Sequence, residues 1–167
     1  MEMDQAGDFD VNALFTALDR KRAEKGLTWT GVAREIADRF TKVSPSTIRG
    51  VGEKHRVEGD GVLQMLLWLD RTPESFVAGF KGKQELLQAA GGAKVLRWDT
   101  AAIFAALDVR RGENGLTWSQ VADQIGGISE QQLKNLAKGG RTFFPEVMRI
   151  VLWLGIPAAQ LTKESVT

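Results

Sequence analysis

Polar side chains that could read DNA bases stand close together in the last quarter of the chain. Gln131, Gln132, Lys134 and Asn135 surround the apolar Leu133. Gln and Asn amides can form paired hydrogen bonds with adenine, and Lys can reach the acceptor atoms of guanine. These residue types therefore suit base recognition. An ordinary polar face of a surface helix has the same composition, so the sequence leaves that alternative open.

Residues suited to catalysis are scarce. The chain has no cysteine, no tyrosine and one histidine. This residue, His55, stands between Lys54 and Arg56, and we expect it to face solvent or a nucleic-acid backbone rather than to act as a metal ligand or a base. A glycine-rich phosphate loop, metal-ligand spacing and evident paired carboxylates are also missing. The sequence predicts a protein that is not an enzyme and that uses no cofactor and no metal.

Length and composition are those of a globular protein. The 167 residues are 43% hydrophobic, which fits one ordinary domain or two small ones. The longest apolar stretch, Ile150 to Ala159, is far shorter than the roughly 20 residues of a membrane helix. The acidic N-terminus lacks the basic and apolar regions of a signal peptide. We therefore expect a cytoplasmic protein without a membrane partner.

Charge is balanced overall but uneven along the chain. Lys and Arg number 22, and Asp and Glu number 21. Residues 1–10 carry four acidic side chains and no basic one, whereas the stretch 81–97 carries four basic side chains and one acidic. An excess of this size fits either a phosphate partner or an ordinary solvated surface.

The chain contains the same unit twice. Gly26-Leu27-Thr28-Trp29 recurs as Gly115-Leu116-Thr117-Trp118, at a shift of 89 residues that also relates Phe9 to Trp98. After a four-residue difference the match resumes at a shift of 85, which relates Ser44 to Ser129. The order and spacing of the matches indicate a tandem duplication of a unit of about 70 residues.

Apolar residues within each unit recur at the spacing of amphipathic helices. Thr28 and Ser44 are expected N-caps, and Pro45 stands at a first helical position. The second unit carries two capping boxes, in which a Gln side chain reaches back to the N–H of the cap. These boxes are Thr117 with Gln120 and Ser129 with Gln132.

The sequence predicts an all-α fold without strands. Thr72-Pro73 and Pro157 are expected to open a fifth short helix in each copy, so we predict two five-helix domains joined by a basic linker. The acidic tail, first domain, linker and second domain are expected at residues 1–8, 9–79, 80–97 and 98–167. Within the linker, Lys83–Ala90 is expected to form a helical turn or two, before a flexible joint at Gly91-Gly92.

Five features in the same order characterise both units. They are a helix 1 arginine, a Gly-Leu-Thr turn, a Val-Ala pair in helix 2, a serine-led helix 3 and a closing Leu-Asp or Leu-Gly. The first unit has Arg22, Gly26-Leu27-Thr28, Val32-Ala33, Val43-Ser44-Pro45-Ser46-Thr47-Ile48 and Leu69-Asp70. The second has Arg111, Gly115-Leu116-Thr117, Val121-Ala122, Ile128-Ser129-Glu130-Gln131-Gln132-Leu133 and Leu154-Gly155. In this pattern each unit resembles the Cro/phage-repressor-like (XRE) family of DNA-binding domains.

The resemblance implies two lambda-repressor-like helix-turn-helix domains that each insert a third helix into the major groove of double-stranded DNA. The implied base-reading residues of the second unit are Gln131, Gln132, Lys134 and Asn135. Those of the first unit are Ser46, Thr47 and Arg49, with Arg49 as the reader of guanine. Loop cations expected to contact phosphates are Lys54, Arg56, Lys138 and Arg141. The helix starts Trp29, Ser44, Trp118 and Ser129 complete the predicted DNA-binding set.

Tryptophan occupies two of these expected contacts. The family usually has a phosphate-binding Gln where Trp29 and Trp118 stand, and an indole N–H can also donate to a phosphate. Packing at the edge of each domain is an equally good interpretation. Trp68 and Trp153 are expected in the core or between the domains.

Several departures from the family pattern concern the first unit. Fifteen residues separate Ala33 from Ile48, against eleven in the equivalent interval of the second unit, so helix 2 is longer or its turn bulges. Gly50 and Gly52 each weaken helix 3 by about 1 kcal/mol. The family's glutamate partner for the helix 1 arginine is replaced by Gly52 and Ala137, so both arginines need other partners. The second unit is therefore expected to be the better reader.

The expected function is sequence-specific regulation of transcription at an asymmetric DNA site, since the two recognition helices differ. The alternative is a helix-turn-helix protein-interaction module, an adaptor or anti-activator, that has lost DNA binding and binds another protein or itself. Near-neutral charge, the glycines of helix 3 and five tryptophans favour the alternative. Basic loops in both copies favour DNA. No small-molecule ligand is evident.

Overall fold

The computed structural model describes residues 7–54 and 56–166. The first half contains α1 (Val11–Glu24), α2 (Trp29–Arg39), α3 (Pro45–Arg49), β1 (Val57–Glu58) and α4 (Gly59–Leu69). The second contains β2 (Lys94–Trp98), α5 (Thr100–Glu113), α6 (Trp118–Ile125), α7 (Glu130–Asn135), β3 (Phe143–Phe144), α8 (Glu146–Leu154) and β4 (Thr162–Val166). Single 3₁₀ turns occur at Gly50–Glu53, Pro73–Phe76, Leu136–Lys138 and Ala158–Leu161.

The predicted helix starts are confirmed. Thr28 and Ser44 accept hydrogen bonds from backbone N–H groups in the first turns of α2 and α3. The two capping boxes are both formed, with Gln120 and Gln132 reaching back to the N–H of Thr117 and Ser129. These caps satisfy N–H groups that have no partner inside the helix, so the local sequence fixes where each of these helices begins.

The prediction of an all-α fold of two five-helix domains is wrong. The described residues include two antiparallel two-stranded sheets, in which β1 pairs with β3 and β2 pairs with β4. The expected fifth helices at Pro73 and Pro157 are only 3₁₀ turns. Lys83–Ala90 forms no helical turn. Part of the predicted linker is instead β2, because its backbone pairs with the C-terminal strand β4.

The strands β1 and β3 are equivalent segments of the repeat that pair with each other. Val57 lies opposite Phe144, and Glu58 lies opposite Phe143. At the repeat shift of 85 residues, Phe143 is the counterpart of Glu58, so each of these residues faces its own copy. Antiparallel pairing of this kind relates the two partners by a local two-fold axis. The two units therefore meet in a pseudo-symmetric contact.

The second sheet also has a counterpart in the first half. Trp98 in β2 pairs with Thr162 in β4, and the equivalent residues Phe9 and Val77 form an isolated antiparallel bridge. The second unit extends this pairing to five residue pairs. Both units therefore close by joining the segment before their first helix to the segment after their last 3₁₀ turn.

One hydrophobic core runs through both halves, and Phe144 lies where they meet. Phe144 is fully buried, and its ring centroid is 4.6 Å from that of Phe9 and 5.8 Å from that of Trp98. The repeat counterpart of Phe144 is Gly59. A Cβ atom added at Gly59 would lie 2.1 Å from Oγ1 of Thr142 and 3.0 Å from Cδ1 of Trp98. The large side chain of Phe144 therefore fills the space beside the axis, where its counterpart Gly59 has no side chain.

Buried polar groups also join the halves. Gln64 is 1% exposed, and its Nε2 donates to the carbonyl of Leu96 at 2.8 Å. Glu74 is 1% exposed, and its Oε2 accepts from the N–H of Ala158 at 2.7 Å. Burial raises the pKa of the Glu74 carboxyl above its ordinary value, although the bond from Ala158 opposes the rise. The ionised carboxylate is therefore costly in this position.

Stability is expected to decrease as the pH rises through the pKa of Glu74. Burial raises this pKa in the folded protein, so protonation of Glu74 stabilises the fold. This stabilisation is complete below the pKa that Glu74 has in the unfolded chain, and it is lost as the pH rises through the pKa in the folded protein. Glu74→Gln cannot ionise and keeps an oxygen for Ala158, so this part of the pH dependence should vanish and stability at neutral pH should rise. Urea unfolding from mildly acidic to neutral pH tests this, with the exposed Glu24→Gln as control. Parallel profiles for wild type and Glu74→Gln would contradict the prediction.

The extra residues of the first unit are mostly helical. The helix α2 has 11 residues, whereas α6 has 8, which confirms that helix 2 is the longer in the first unit. The helix α3 has only five residues and continues as the 3₁₀ turn Gly50–Glu53. A Cβ atom added at Gly52 would lie 2.9 Å from Cγ of Phe15 on α1, whereas one at Gly50 would come no closer than 3.7 Å to Cε of Lys54. Close packing against α1 therefore requires glycine at position 52 alone.

Gly52→Ala is expected to destabilise the protein by about 1–3 kcal/mol, because the added carbon overlaps the Phe15 ring. Gly50→Ala has room for its methyl group and should be neutral or stabilising by up to about 1 kcal/mol, since alanine has less freedom to lose. Chemical unfolding of the two variants compares these effects directly. Adding Phe15→Leu should recover part of the loss in Gly52→Ala, and equal effects of the two glycine substitutions would refute the explanation.

Candidate nucleic-acid interface

The helix α7 carries the largest set of predicted base-reading side chains. Leu133 is fully buried and anchors the helix to the core. Gln131, Gln132, Lys134 and Asn135 are all exposed around it. The sequence-predicted set therefore lies together on the outer surface of one short helix, which begins at the capping residue Ser129.

These exposed side chains already contact one another within the helix. Nε2 of Gln131 donates to Oδ1 of Asn135 at 3.0 Å, and Nζ of Lys134 lies 2.8 Å from Oε2 of Glu130. Gln132 is engaged in the capping box, where its Oε1 accepts from the N–H of Ser129 at 2.7 Å. Gln131, Lys134 and Asn135 can turn outward by rotamer changes alone, whereas the use of Gln132 would open the cap. Of the predicted base-reading set on α7, only these three can therefore turn outward without loss of the cap.

The helix α3 presents a smaller polar surface. Oγ of Ser44 lies 2.7 Å from Oγ1 of Thr47 and 3.2 Å from Oγ of Ser46, so the three hydroxyl groups form a small cluster at the start of the helix. Arg49 is exposed at its end. Arg49 is the one long side chain of the predicted set in this helix, and it has free access to solvent.

The two tryptophans at the helix starts pack against the preceding helix. Trp29 is stacked on Phe15 with ring centroids 5.5 Å apart, and Trp118 is stacked on Phe104 at 5.0 Å. Both indoles are half-buried. The geometry of both copies therefore accords with the packing interpretation of these residues.

Both helix 1 arginines find their partners within their own unit. Nη2 of Arg22 lies 2.7 Å from Oδ1 of Asp19, and Nη1 donates to the carbonyl of Leu27 at 2.9 Å. Arg111 repeats this arrangement with Asp108 and the carbonyl of Leu116. The guanidinium groups also lie over the Trp29 and Trp118 rings. An aspartate three residues earlier therefore replaces the glutamate that the family pattern implies.

Two of the predicted phosphate-binding arginines converge on one aromatic ring. The guanidinium carbons of Arg56 and Arg141 lie 4.0 Å and 5.3 Å from the centroid of Phe143. Arg56 also forms an ion pair with Glu146 at 2.5 Å. Because Arg56 and Arg141 are repeat counterparts, the local two-fold axis brings them together, while Lys54 and Lys138 stand exposed. The pairing of β1 with β3 is what unites them, and sequence analysis missed both Phe143 and Glu146.

An acidic residue near the N-terminus binds a cation of the second unit. Asp8 accepts two hydrogen bonds from Arg149, from Nε and Nη2, both at 2.8 Å. These bonds hold the pKa of Asp8 below its ordinary value. Glu2 and Asp4 of the predicted acidic tail lie outside the described residues, as does His55.

Searches against protein-family models, curated proteins and solved structures gave no significant match. Within residues 7–54 and 56–166, no helix is both long and apolar enough to cross a membrane. The same part of the chain contains no group of three or more His, Asp or Glu side chains placed to hold a metal ion.

Proposed function

We propose that the protein binds double-stranded DNA in a sequence-specific manner and regulates transcription with two non-identical helix-turn-helix units. The proposal combines the resemblance of each repeat to Cro/phage-repressor-like domains with the surface of α7. A cytoplasmic location belongs to the same proposal.

The observation that carries the proposal is the local two-fold relation between the units. The register of β1 against β3 sets Glu58 against its repeat counterpart Phe143, and α3 and α7 are the equivalent helices of the two repeats. Proteins of this class read pairs of half-sites that are themselves related by a two-fold axis of the duplex. Two capped helices at equivalent positions of the repeat supply one reader for each half-site without a second molecule.

The two helices offer different chemistry to the two half-sites. Gln131, Lys134 and Asn135 supply amide and ammonium groups for base edges, whereas α3 supplies hydroxyl groups and Arg49. We therefore expect an asymmetric recognition sequence, in which the half bound by α7 is the more strongly specified. A palindromic preference would count against this expectation.

The direct test is selection of bound sequences from a randomised pool of duplex DNA, followed by affinity measurements across a series of salt concentrations. An enriched sequence together with a steep decrease of affinity with salt supports the proposal. No enrichment, and an affinity no better than that of a generic basic protein, would overturn it. That second outcome would favour the protein-interaction module.

Lys54→Gln and Lys138→Gln are expected to weaken binding to all DNA sequences equally. Each lysine is exposed, and each phosphate contact contributes about 0.9 to the slope of log affinity against log salt. Each variant should therefore lower the magnitude of that slope by about 1 without changing the selected sequence. Arg20→Gln, which removes an exposed cation from α1, is the control. A change of sequence preference in either lysine variant would contradict the assignment to phosphate.

A further inference from the structure

A cavity lies directly behind the exposed face of α7. Its volume is about 310 Å³, and it is bounded by α7, the following 3₁₀ turn, β3 and α8. Its apolar lining consists of Ile128, Leu136, Phe143, Val147 and Ile150. Small-molecule sites usually measure about 300–1,000 Å³ and are mostly apolar with a few polar groups. The cavity is therefore large enough for a compact ligand with one ring.

The charged groups of the cavity are Arg56, Arg141 and Glu146. Arg56 is paired with Glu146, whereas Arg141 forms no ion pair with any residue in the described part of the chain and contacts the Phe143 ring. The lining therefore has one cation in excess. That excess is complementary to a ligand with a single negative charge.

From these observations we propose that the cavity binds a small aromatic or alicyclic carboxylate. The ring occupies the apolar lining, and the carboxylate pairs with Arg141. Arg141 requires an anion, which a neutral phenol or alcohol lacks.

The same cavity connects the ligand to α7. Gln132 and Asn135 line it together with Leu136, and Gln132 closes the capping box at the start of the helix. A ligand that contacts these amides changes both the cap and the pairing of Asn135 with Gln131. Ligand binding stands independently of the proposed function, whereas an effect of the ligand on DNA affinity rests on it.

Binding is tested first without DNA, by calorimetric titration of the full chain with 4-hydroxybenzoate. Saturable one-to-one binding is expected for this probe. 4-Hydroxybenzyl alcohol lacks the carboxylate, so it should bind at least about tenfold more weakly. The absence of saturable 4-hydroxybenzoate binding in the millimolar range, or equal affinity for the two probes, would overturn the proposal.

Two substitutions locate the site. Arg141→Met keeps an apolar side chain over Phe143 and removes the cation, so it should weaken 4-hydroxybenzoate binding at least about tenfold while leaving 4-hydroxybenzyl alcohol unaffected. Ile128→Phe fills the cavity from a half-buried position and should abolish binding of both probes. Arg20→Met on α1 is the matched control for loss of an arginine. Wild-type affinity in folded Arg141→Met and Ile128→Phe proteins would refute this location.

The effect of the ligand on DNA binding is measured separately, with the DNA sequence that the wild type selects. 4-Hydroxybenzoate is expected to change the affinity of the wild type for this sequence and to leave that of Ile128→Phe unchanged. If calorimetry detects the ligand and no DNA sequence is selected, the site stands and the DNA-binding proposal fails. If a sequence is selected and calorimetry detects no ligand, the site fails and the DNA-binding proposal stands.

Discussion

Phe144→Ala is expected to lower the free energy of unfolding by about 3–5 kcal/mol, the range for a fully buried phenylalanine. Phe144 is fully buried, and its ring contacts Phe9 from the first half and Trp98 from the second. The substitution therefore removes packing on both sides of the contact between the units. Urea unfolding followed by tryptophan fluorescence and by far-ultraviolet circular dichroism measures the loss.

The control for this substitution is Phe104→Ala. Phe104 is half-buried and stacks on Trp118 within its own half, so its loss should be smaller. Because one core joins the halves, both spectroscopic probes should move together in each variant. Two separate transitions in the wild type, with only one shifted by Phe144→Ala, would show that the halves unfold independently and would contradict the prediction.

The double substitution Gln131→Ala with Asn135→Ala is expected to weaken the sequence preference in the α7 half of the selected site and to leave only the contribution of Lys134. Each paired contact between an amide and a base contributes about 1–3 kcal/mol of discrimination, so affinity for the selected sequence should fall by roughly 30-fold or more. The substitutions leave the capping box of Gln132 and the pair of Lys134 with Glu130 in place. Alanine also has the higher helix propensity, so a loss of α7 would not explain the result.

Asn12→Ala with Gln88→Ala removes two exposed amides elsewhere on the surface and is the matched control. It should keep both the affinity and the selected sequence. The salt dependence should be the same in all three proteins, because no cation is removed. An unchanged selected sequence in the α7 variant would assign base recognition to other residues.

Helix positions could be predicted from the sequence because caps and apolar spacing act locally. Thr28, Ser44, Thr117 and Ser129 each begin the helix expected of them. The strands could not be predicted in the same way. Two-residue segments such as β1 and β3 are too short to alternate, and they are strands only because each finds its repeat counterpart across the axis. The basic composition around β2 indicates a linker until its pairing with β4 is known.

The sequence predicted which residues of the candidate site are exposed, but it did not predict the contacts between the two units. Exposure around Leu133 follows from helical periodicity, and the pair of Glu130 with Lys134 follows from its four-residue spacing. The convergence of Arg56 and Arg141 on Phe143 is different, since it depends on pairing between residues 85 and 87 positions apart. The residues around each segment do not indicate a contact between positions so far apart in the chain. The cavity behind α7 depends on the same long-range contact, because Arg56 reaches it from the other unit.

The pairing of β1 with β3 inside one chain has a consequence for dosage. A homodimeric regulator dissociates when it is scarce, so occupancy of its site rises more steeply than its abundance. Here the contact between the two units cannot be diluted away, because both belong to the same molecule. In the proposed role, occupancy would follow the amount of protein in simple proportion. A gene under such control would respond gradually to synthesis of the regulator, without a threshold.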